Sequence, residues 1–307
     1  MIKRLLVAVP VALAGAFWFF YLSLPWPILL GSKNPERTSF MELRIAQARA
    51  QGDTLRLRHD WAPLGKISRN LRRAVIVGED GNFYEHHGID WEALAEETHY
   101  RGDDHFSWFS PADVRSLGAA LRYYGAHRDR VRGRSTITQQ LAKNLYFSEE
   151  RSLARKVGEF LVARRLEWFL TKDRILEVYL NSVEWGPGVF GAEAAARYYF
   201  DKSANSLTRE EAAALAATLP HPLTSNPRVR PGRMSWRQGL ILARMGGSGK
   251  VKTVPLEPPG TNDTIVVVQP DTVQQQTDSI KPVHADSVPP DSIPPDTLRS
   301  IAISRAN

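Results

Sequence analysis

The stretch GEDGNFYEHHGID, from Gly78 to Asp90, follows a short apolar run and is dense in ionisable side chains. Its acidic and histidine residues are Glu79, Asp80, Glu85, His86, His87 and Asp90. A metal centre, a general base beside its helpers, and a charged surface loop all fit this composition. Adjacent histidines point in different directions on a helix, and the chain has no HExxH motif, so joint metal ligation is disfavoured. A divalent ion held by Glu79, Asp80 and Glu159 stays open, although their spacing does not indicate one, and a carboxylate is the candidate base.

The stretch GRSTITQQLAKN, from Gly133 to Asn144, predicts a polar helix N-terminus. Ser135 or Thr136 is a candidate N-cap, and an apolar stripe at four-residue spacing follows it. The polar side chains considered for a site are Ser135, Gln139, Gln140, Lys143 and Asn144. A helix start with hydroxyl, amide and ammonium donors is suited to binding an anion. A solvated polar face is the alternative, and the spacing alone does not decide between them.

Two further helices are predicted between Ala154 and Asn181. Glu159 lies four residues after Arg155 and three after Lys156, so the three charges share one helix face. By spacing alone, an ordinary surface ion pair is the favoured interpretation. The second helix, in TKDRILEVYLN, has a predicted buried face made of Ile175, Leu176, Tyr179 and Leu180.

Helical patterns extend from Ile67 to Met245, and Ser235 is the candidate N-cap of the last helix. Thr208 and Glu211 fit a capping box before it. The composition then changes, and residues 246–307 are predicted to be a disordered tail rich in Pro, Asp, Ser and Thr. From residue 253 onward the tail has seven acidic and three basic side chains, so its net charge is −4 and the rest of the chain carries +11.

An apolar run without a charged residue separates Arg4 from Lys33. The run is longer than the roughly 20 residues that a membrane-spanning helix needs. Aromatic residues continue the run where a signal peptide would have small residues at a cleavage site. The sequence therefore predicts an uncleaved anchor over residues 5–30, which Pro25 and Pro27 end or kink.

The charge distribution bears on topology and on partners. Lys3 and Arg4 place the N-terminus in the cytoplasm by the positive-inside rule. Residues 31–66 are then predicted to form a connecting stalk outside the membrane. The 307-residue chain has a net charge of +7, which fits anionic partners, and it has no cysteine. Disulfides, thiolate catalysis and thiolate zinc sites are therefore excluded.

Five stretches, in this order along residues 67–245, resemble the peptidoglycan glycosyltransferase family, glycosyltransferase family 51. They are EDGNFYEHHGID, GRSTITQQLAKN, RKVGE, KDRILEVYLN and WGPGVFGAEAAARYYF. The resemblance implies an all-α, lysozyme-like domain of two lobes with a cleft between them. It is nearest in kind to the monofunctional biosynthetic transglycosylases, since the chain has no Ser-x-x-Lys of a transpeptidase domain.

The resemblance also implies a reaction, the polymerisation of lipid II. The GlcNAc 4-hydroxyl of one lipid II attacks C1 of the MurNAc that ends a lipid-linked glycan. Undecaprenyl pyrophosphate leaves, the anomeric centre inverts, and a β-1,4 bond forms. Glu79 corresponds to the general base and Glu159 to a second essential carboxylate. The residues implied in substrate binding are Asp80, Phe83, His87, Ser135, Gln139, Gln140, Lys143, Asn144, Arg155 and Lys156.

The implied surroundings are a membrane and its lipid-linked sugars. Expected partners are lipid II, the growing glycan and the membrane, with other cell-wall synthesis and division proteins as further candidates and no nucleic acid. No metal ligand is assigned, and a divalent ion, Mg²⁺ or Mn²⁺, near the pyrophosphate stays open. The expected location is the cytoplasmic (inner) membrane, crossed once, with the catalytic domain on the periplasmic or extracellular side.

Some features depart from the family pattern or leave alternatives open. Arg134 stands where the family usually has a small residue, and the segment from Asp90 to Gly133 is longer than the family norm. The acidic tail is not part of the pattern. A glycan-cleaving enzyme on the same scaffold and a catalytically idle, membrane-anchored scaffold are the two alternatives to a polymerase.

Overall fold

The computed structural model describes residues 2–102, 107, 110–126, 135–147 and 152–246 of the chain. The tail predicted from residue 246 onward lies outside these residues except for Gly246, and so do Gly133 and Arg134. The aromatic side chains Phe106, Trp108 and Phe109 of the long segment after Asp90 also lie outside them.

The described residues are mostly helical. Their helices are α1 (Ile2–Ser23), α2 (Ser39–Ala50), α3 (Arg69–Glu79), α4 (Trp91–Glu97), α5 (Pro111–Ala126), α6 (Ile137–Tyr146), α7 (Leu153–Phe169), α8 (Lys172–Ser182), α9 (Ala192–Phe200), α10 (Arg209–Thr218) and α11 (Pro231–Met245). Short 3₁₀ helices lie at Pro27–Gly31, Leu64–Lys66 and Ala204–Ser206. The prediction of a mainly helical fold is confirmed.

Local capping chemistry explains where several of these helices begin. Thr136 caps α6 in a capping box with Gln139, and Thr208 caps α10 in a second box with Glu211. Both helices start where the sequence predicted. The last helix does not, since α11 begins at Pro231 and places Ser235 inside it. The predicted start at Ser235 is therefore wrong. Pro231 suits the first helical turn, because Pro has no backbone N–H that would be left without a partner there.

A small sheet accompanies the helices and was not predicted. Its strands are β1 (Arg58–His59), β2 (Glu184–Gly186) and β3 (Val189–Phe190), in the order β1-β3-β2. β3 pairs antiparallel with β2 and parallel with β1. Strands this short have no periodicity that a sequence could reveal. Because β1 lies within residues 31–66, the predicted stalk is in fact joined to the domain.

α2 reinforces this attachment. It packs on α6, and its Met41 side chain is completely enclosed. Arg44 of the same helix pairs with the buried Glu184 of β2 at 2.9 Å. Residues 39–59 therefore form part of the folded domain rather than a free connector.

Two groups of helices build the core. One consists of α3, α10 and α11, and the other of α6, α7 and α8. The buried face predicted for α8 is confirmed, since Ile175, Leu176, Tyr179 and Leu180 are all fully buried. The groups meet at the C-terminal end of α3, where α6 and α8 approach it. That junction brings together the polar stretches of the sequence.

The N-terminal helix leads directly into the domain. Residues 8–31 are long and apolar enough to cross a membrane, judged by length and composition. The end of α1 rests on α7, where the buried Arg165 donates to the carbonyls of Tyr21, Leu24 and Pro25. The Arg165 guanidinium also lies 3.8 Å from the ring centre of Trp26. A cation at a helix C-terminus satisfies the free carbonyls there and complements the helix dipole.

Candidate active site

Glu79 is the last residue of α3 and lies at the junction of the two helix groups. The residue is only 7% exposed. The amide nitrogen of Gln140, from α6, donates to Glu79 Oε2 at 2.9 Å. Arg237, from α11, donates to Glu79 Oε1 at 2.8 Å. Each oxygen of this carboxylate thus receives a hydrogen bond from a different helix.

Gln140 connects Glu79 to two further groups. Its amide nitrogen also donates to the carbonyl of Ser135 at 3.1 Å. The buried Tyr179 of α8 donates its hydroxyl to the amide oxygen of Gln140 at 2.9 Å. Burial, with the nearby charge of Glu79 as a smaller cause, raises the pKa of Tyr179 well above its ordinary value. Tyr179 therefore stays protonated and keeps the amide nitrogen turned toward the carboxylate.

Asp80 holds together the backbone around the site. Its Oδ1 lies 2.9 Å from His86 Nε2, and its Oδ2 accepts the backbone N–H of Ile137 at 2.9 Å. Thr136 adds a hydrogen bond from its hydroxyl to the carbonyl of Gly88 at 2.7 Å. The loop after α3 is thereby tied to the N-terminus of α6. Asp80 is buried, so these contacts are those of a supporting residue.

The two other predicted residues of this loop differ from each other in burial. Phe83 is completely enclosed, and Lys172 lies over its ring at 4.5 Å. His87 is exposed, and its neighbour His86 is the histidine that reaches Asp80. Sequence reasoning named His87 and passed over His86. In an irregular loop neither a helical nor a strand period tells which of two adjacent side chains turns inward.

Glu159 and three cationic side chains form the second part of the site. Arg155 pairs with Glu159 Oε1, and Lys156 Nζ lies 3.2 Å from Glu159 Oε2. Glu159 itself is 2% exposed. Partial burial, followed by the positive charges of Arg155 and Lys143, lowers the pKa of Lys156 from its ordinary 10.5. A site that places three cations near one carboxylate has a net positive charge and favours an anion.

The two parts of the site are joined by hydrogen bonds. Lys156 Nζ donates to the hydroxyl of Ser135 at 3.1 Å, and the carbonyl of Ser135 accepts the amide of Gln140. A continuous path thus runs from Glu79 through Gln140, Ser135 and Lys156 to Glu159. The surface ion pair that spacing favoured for Glu159 is therefore too simple a description.

The remaining predicted residues of α6 lie beside this path. Gln139 uses its side-chain oxygen to accept the backbone N–H of Thr136 in the capping box. Lys143 is half-buried, with its Nζ 5.7 Å from the ring centre of Phe40. Asn144 is buried. Among them, Lys143 is the side chain whose charge acts on Lys156.

The described residues do not gather a set of metal ligands. In that part of the chain, no group of three or more His, Asp or Glu side chains is arranged to hold an ion. Both oxygens of Glu159 are bonded to cationic side chains, as is one oxygen of Glu79. A divalent ion near the substrate would need most of its ligands from the substrate and water, as Mg²⁺ commonly has.

Comparison with known proteins places this chain in a family. A family model described as Transglycosylase matches residues 47–102 and 99–246. This chain belongs to the transglycosylase family. Its fold is accordingly the lysozyme-like one that the resemblance implied, and the match begins inside the predicted stalk, in agreement with the packing of that segment.

Named relatives match most of the transglycosylase described here. The "Biosynthetic peptidoglycan transglycosylase" of Herminiimonas arsenicoxydans is 40% identical over 244 residues, which is 79% of this chain and 94% of the relative. The protein of the same name from Aromatoleum aromaticum (strain DSM 19018 / LMG 30748 / EbN1) is 43% identical over 243 residues, with the same two coverages. A third, from Janthinobacterium sp. (strain Marseille), is 38% identical over 244 residues.

Sequence reasoning missed two further residues of the candidate site, besides His86. Tyr179 was assigned to the buried face of α8, without a polar role. Arg237 was not singled out, although it lies in one helical stripe with the buried Met234 and Ile241. An arginine in an apolar stripe indicates a buried charge that needs a partner, and this signal could have drawn attention to it.

Proposed function

We propose that this enzyme polymerises lipid II into linear β-1,4 glycan strands of peptidoglycan and releases undecaprenyl pyrophosphate. The chain is a peptidoglycan glycosyltransferase, as its family and the names of its relatives indicate. The observation that carries the finer proposal is the path from Glu79 to Glu159. It joins a buried carboxylate at one end to a cation cluster at the other.

Glu79 is the general base of the proposed reaction. A carboxylate has about four lone-pair positions, and Arg237 and Gln140 occupy one on each oxygen. The remaining positions can accept the proton of the GlcNAc 4-hydroxyl as its oxygen bonds to C1 of the donor MurNAc. The acceptor enters from the Glu79 side and the leaving group departs on the opposite side, so the configuration at C1 inverts.

The cation cluster binds the leaving group. As the bond between C1 and the pyrophosphate oxygen breaks, negative charge develops on undecaprenyl pyrophosphate. Lys156, Arg155 and Lys143 supply the positive charge that stabilises it. Glu159 holds Arg155 and Lys156 in place and reduces their mutual repulsion. An Mg²⁺ or Mn²⁺ ion beside the pyrophosphate would add to this charge and is left to experiment.

The supporting residues fit the same proposal. Ser135 and Gln140 join the two ends of the site, and Gln139 and Asp80 fix the N-terminus of α6. Phe83 supports the loop from the core, rather than by touching a sugar. Lys143 adds its charge to the cluster, and the exposed His87 and the buried Asn144 remain proposed binding residues.

The N-terminal helix fits a substrate that is anchored in a lipid bilayer. We assign residues 5–30 to a single membrane span, with Lys3 and Arg4 in the cytoplasm and the catalytic domain outside it. Because Arg165 ties the end of α1 to α7, the helix that carries Glu159 stays next to the membrane surface. A lipid-linked pyrophosphate lies at that same depth. The enzyme then works at the outer face of the inner membrane.

The test is polymerisation of labelled lipid II by the full chain in detergent, with products separated on a gel. Wild type is expected to make polymer, Glu79→Gln none, and Glu42→Gln, in an exposed ion pair of α2, as much as wild type. A chelator-treated sample reports on the divalent ion. If wild type makes no polymer where a known polymerase does, the catalytic proposal fails and an idle scaffold takes its place. Shorter glycan from a preformed strand would indicate cleavage instead.

A further inference from the structure

We infer that Arg237 is a positioning residue that orients the Glu79 carboxylate for proton transfer. This inference rests on the proposed function, in which Glu79 is the base. Arg237 lies on α11, at the far end of the domain in sequence. Its guanidinium donates to Glu79 Oε1 at 2.8 Å and to the carbonyl of Gly78 at 2.7 Å. One side chain thus holds both the carboxylate and the last turn of the helix that bears it.

The pair is shielded from water. Arg237 is 2% exposed and Glu79 is 7% exposed. Ion pairs in such surroundings are costly to assemble, and a protein gains little stability from them compared with apolar residues. A buried arginine placed on a carboxylate in a candidate active site is therefore better explained by the orientation it imposes than by the stability it supplies.

The close approach of α11 to α3 depends on Gly78. A Cβ at that position would lie 3.3 Å from Ile241 Cδ1 and 3.6 Å from Arg237 Nη2. Glycine thereby allows α11 close enough for the guanidinium to reach both Glu79 and the backbone. Gly78 and Arg237 therefore act together, since the glycine lets α11 approach and the arginine then holds the Glu79 carboxylate.

Gln140 completes the orientation from the other side. It donates to Glu79 Oε2 at 2.9 Å, so the plane of the carboxylate is held at both oxygens. A carboxylate fixed in this way presents its free lone pairs in one direction. Fixed geometry of a base contributes to rate because the reacting groups do not have to find their alignment during each turnover.

In the described part of the chain, Arg237 is the charged side chain that the helices around Glu79 bring into contact with it. α11 provides Arg237, α8 provides Tyr179, which stays protonated, and α6 provides the neutral Gln140. Asp80 is adjacent in the chain and turns toward His86 and the N-terminus of α6. α10, which also packs on α3, has a buried run from Ala212 to Thr218 without an ionisable side chain. The guanidinium is the positive charge in contact with the base.

The experiment measures kcat and KM for lipid II polymerisation by the full chain in detergent. Arg237→Met is expected to lose about 10²-fold in kcat. KM should stay within about twofold, because Arg237 contacts the base and not the substrate. Arg237→Lys keeps the charge and a donor, so it should regain part of kcat. Added guanidinium should partly restore Arg237→Met.

Arg44→Met is the matched control, because it breaks another ion pair with a buried glutamate in the same domain. It should lower the unfolding temperature and leave kcat of the folded fraction within about twofold of wild type. If Arg237→Met does not fold, the test uses Arg237→Lys, with the separate variant Glu79→Gln measured beside it as the inactive reference. An Arg237→Lys variant that folds but, like Glu79→Gln, makes no polymer would then overturn the inference.

The outcomes separate the inference from the proposed function. Inactive wild type rejects both. An active wild type with an inactive Glu79→Gln supports Glu79 as the general base. The Arg237 variants then decide the positioning role by themselves. The positioning role is rejected if the loss in Arg237→Met falls on KM rather than on kcat, or if its loss in kcat is no greater than that of Arg44→Met at equal folded fraction.

Discussion

The amide nitrogen of Gln140 lies 2.9 Å from Oε2 of Glu79, and its direction is decided by a third side chain. Tyr179 donates to the oxygen of that amide, which prevents the amide from turning round. A reversed amide would place its oxygen against the carboxylate, where two acceptors repel each other. The hydroxyl of a core tyrosine therefore determines what the candidate base contacts.

Tyr179→Phe is expected to lower the polymerisation rate roughly tenfold, equivalent to about 1.4 kcal/mol in transition-state stabilisation. The ring stays packed, and only the group that holds the amide is lost. Tyr199→Phe is the matched control, since its hydroxyl also bonds within the domain, to the carbonyl of Trp185 at 3.0 Å. Equal rate losses in the two variants would argue against the orienting role.

Lys156 is expected to set an alkaline limit on kcat/KM. Its pKa is lowered, and the anion is bound only while the ammonium is charged, so the rate should fall at a pH below the ordinary 10.5. Lys143→Met removes one of the two positive neighbours, so it should move this limit to higher pH while weakening substrate binding. Rate profiles between pH 7 and pH 11 measure both effects.

Lys156→Arg provides the control for that limit, because a guanidinium stays charged over the whole range. Its profile should lack the alkaline fall. A limit that stays in place in this variant would show that another group causes it.

His86 and His87 are expected to differ sharply on substitution. His86→Ala removes the partner of Asp80, which holds the N-terminus of α6, and a shift there of about 1 Å can cost up to about 10²-fold in rate. His87→Ala should stay within about twofold if it contributes only binding at an exposed position. The polymerisation rates and unfolding temperatures of both variants test this difference. A rate loss greater than about twofold in His87→Ala would show that His87 does more than bind substrate at the surface.

Arg165→Met is expected to destabilise the domain by about 3 kcal/mol, because three carbonyls at the end of α1 lose their donor. Arg164→Met is the neighbouring control on the same helix. It is exposed and should cost less than about 1 kcal/mol. Thermal unfolding in detergent gives both values. Similar losses would mean that the anchor is not fixed to α7 through Arg165.

Prediction from sequence worked where the deciding contacts are local. The capping boxes at Thr136 and Thr208 follow from residues three positions apart, and the pairing of Arg155 and Lys156 with Glu159 follows from the helical repeat. It was wrong for the start of α11, which begins at Pro231 and not at Ser235. It did not identify the sheet, whose strands are too short to show a period and in which β1 pairs with the distant β3.

The sequence by itself determined that this protein has an apolar N-terminal segment, a mainly helical domain and two stretches suited to a base and to an anion. These features follow from composition and from the period of the helix, which each segment has before it packs. Only the tertiary structure decided that Arg237 and Gln140 hold Glu79, that His86 rather than His87 turns inward, and that Lys156 links the two parts of the site through Ser135. Those partners lie far apart in the chain or in an irregular loop, and packing alone decides which side chains meet there.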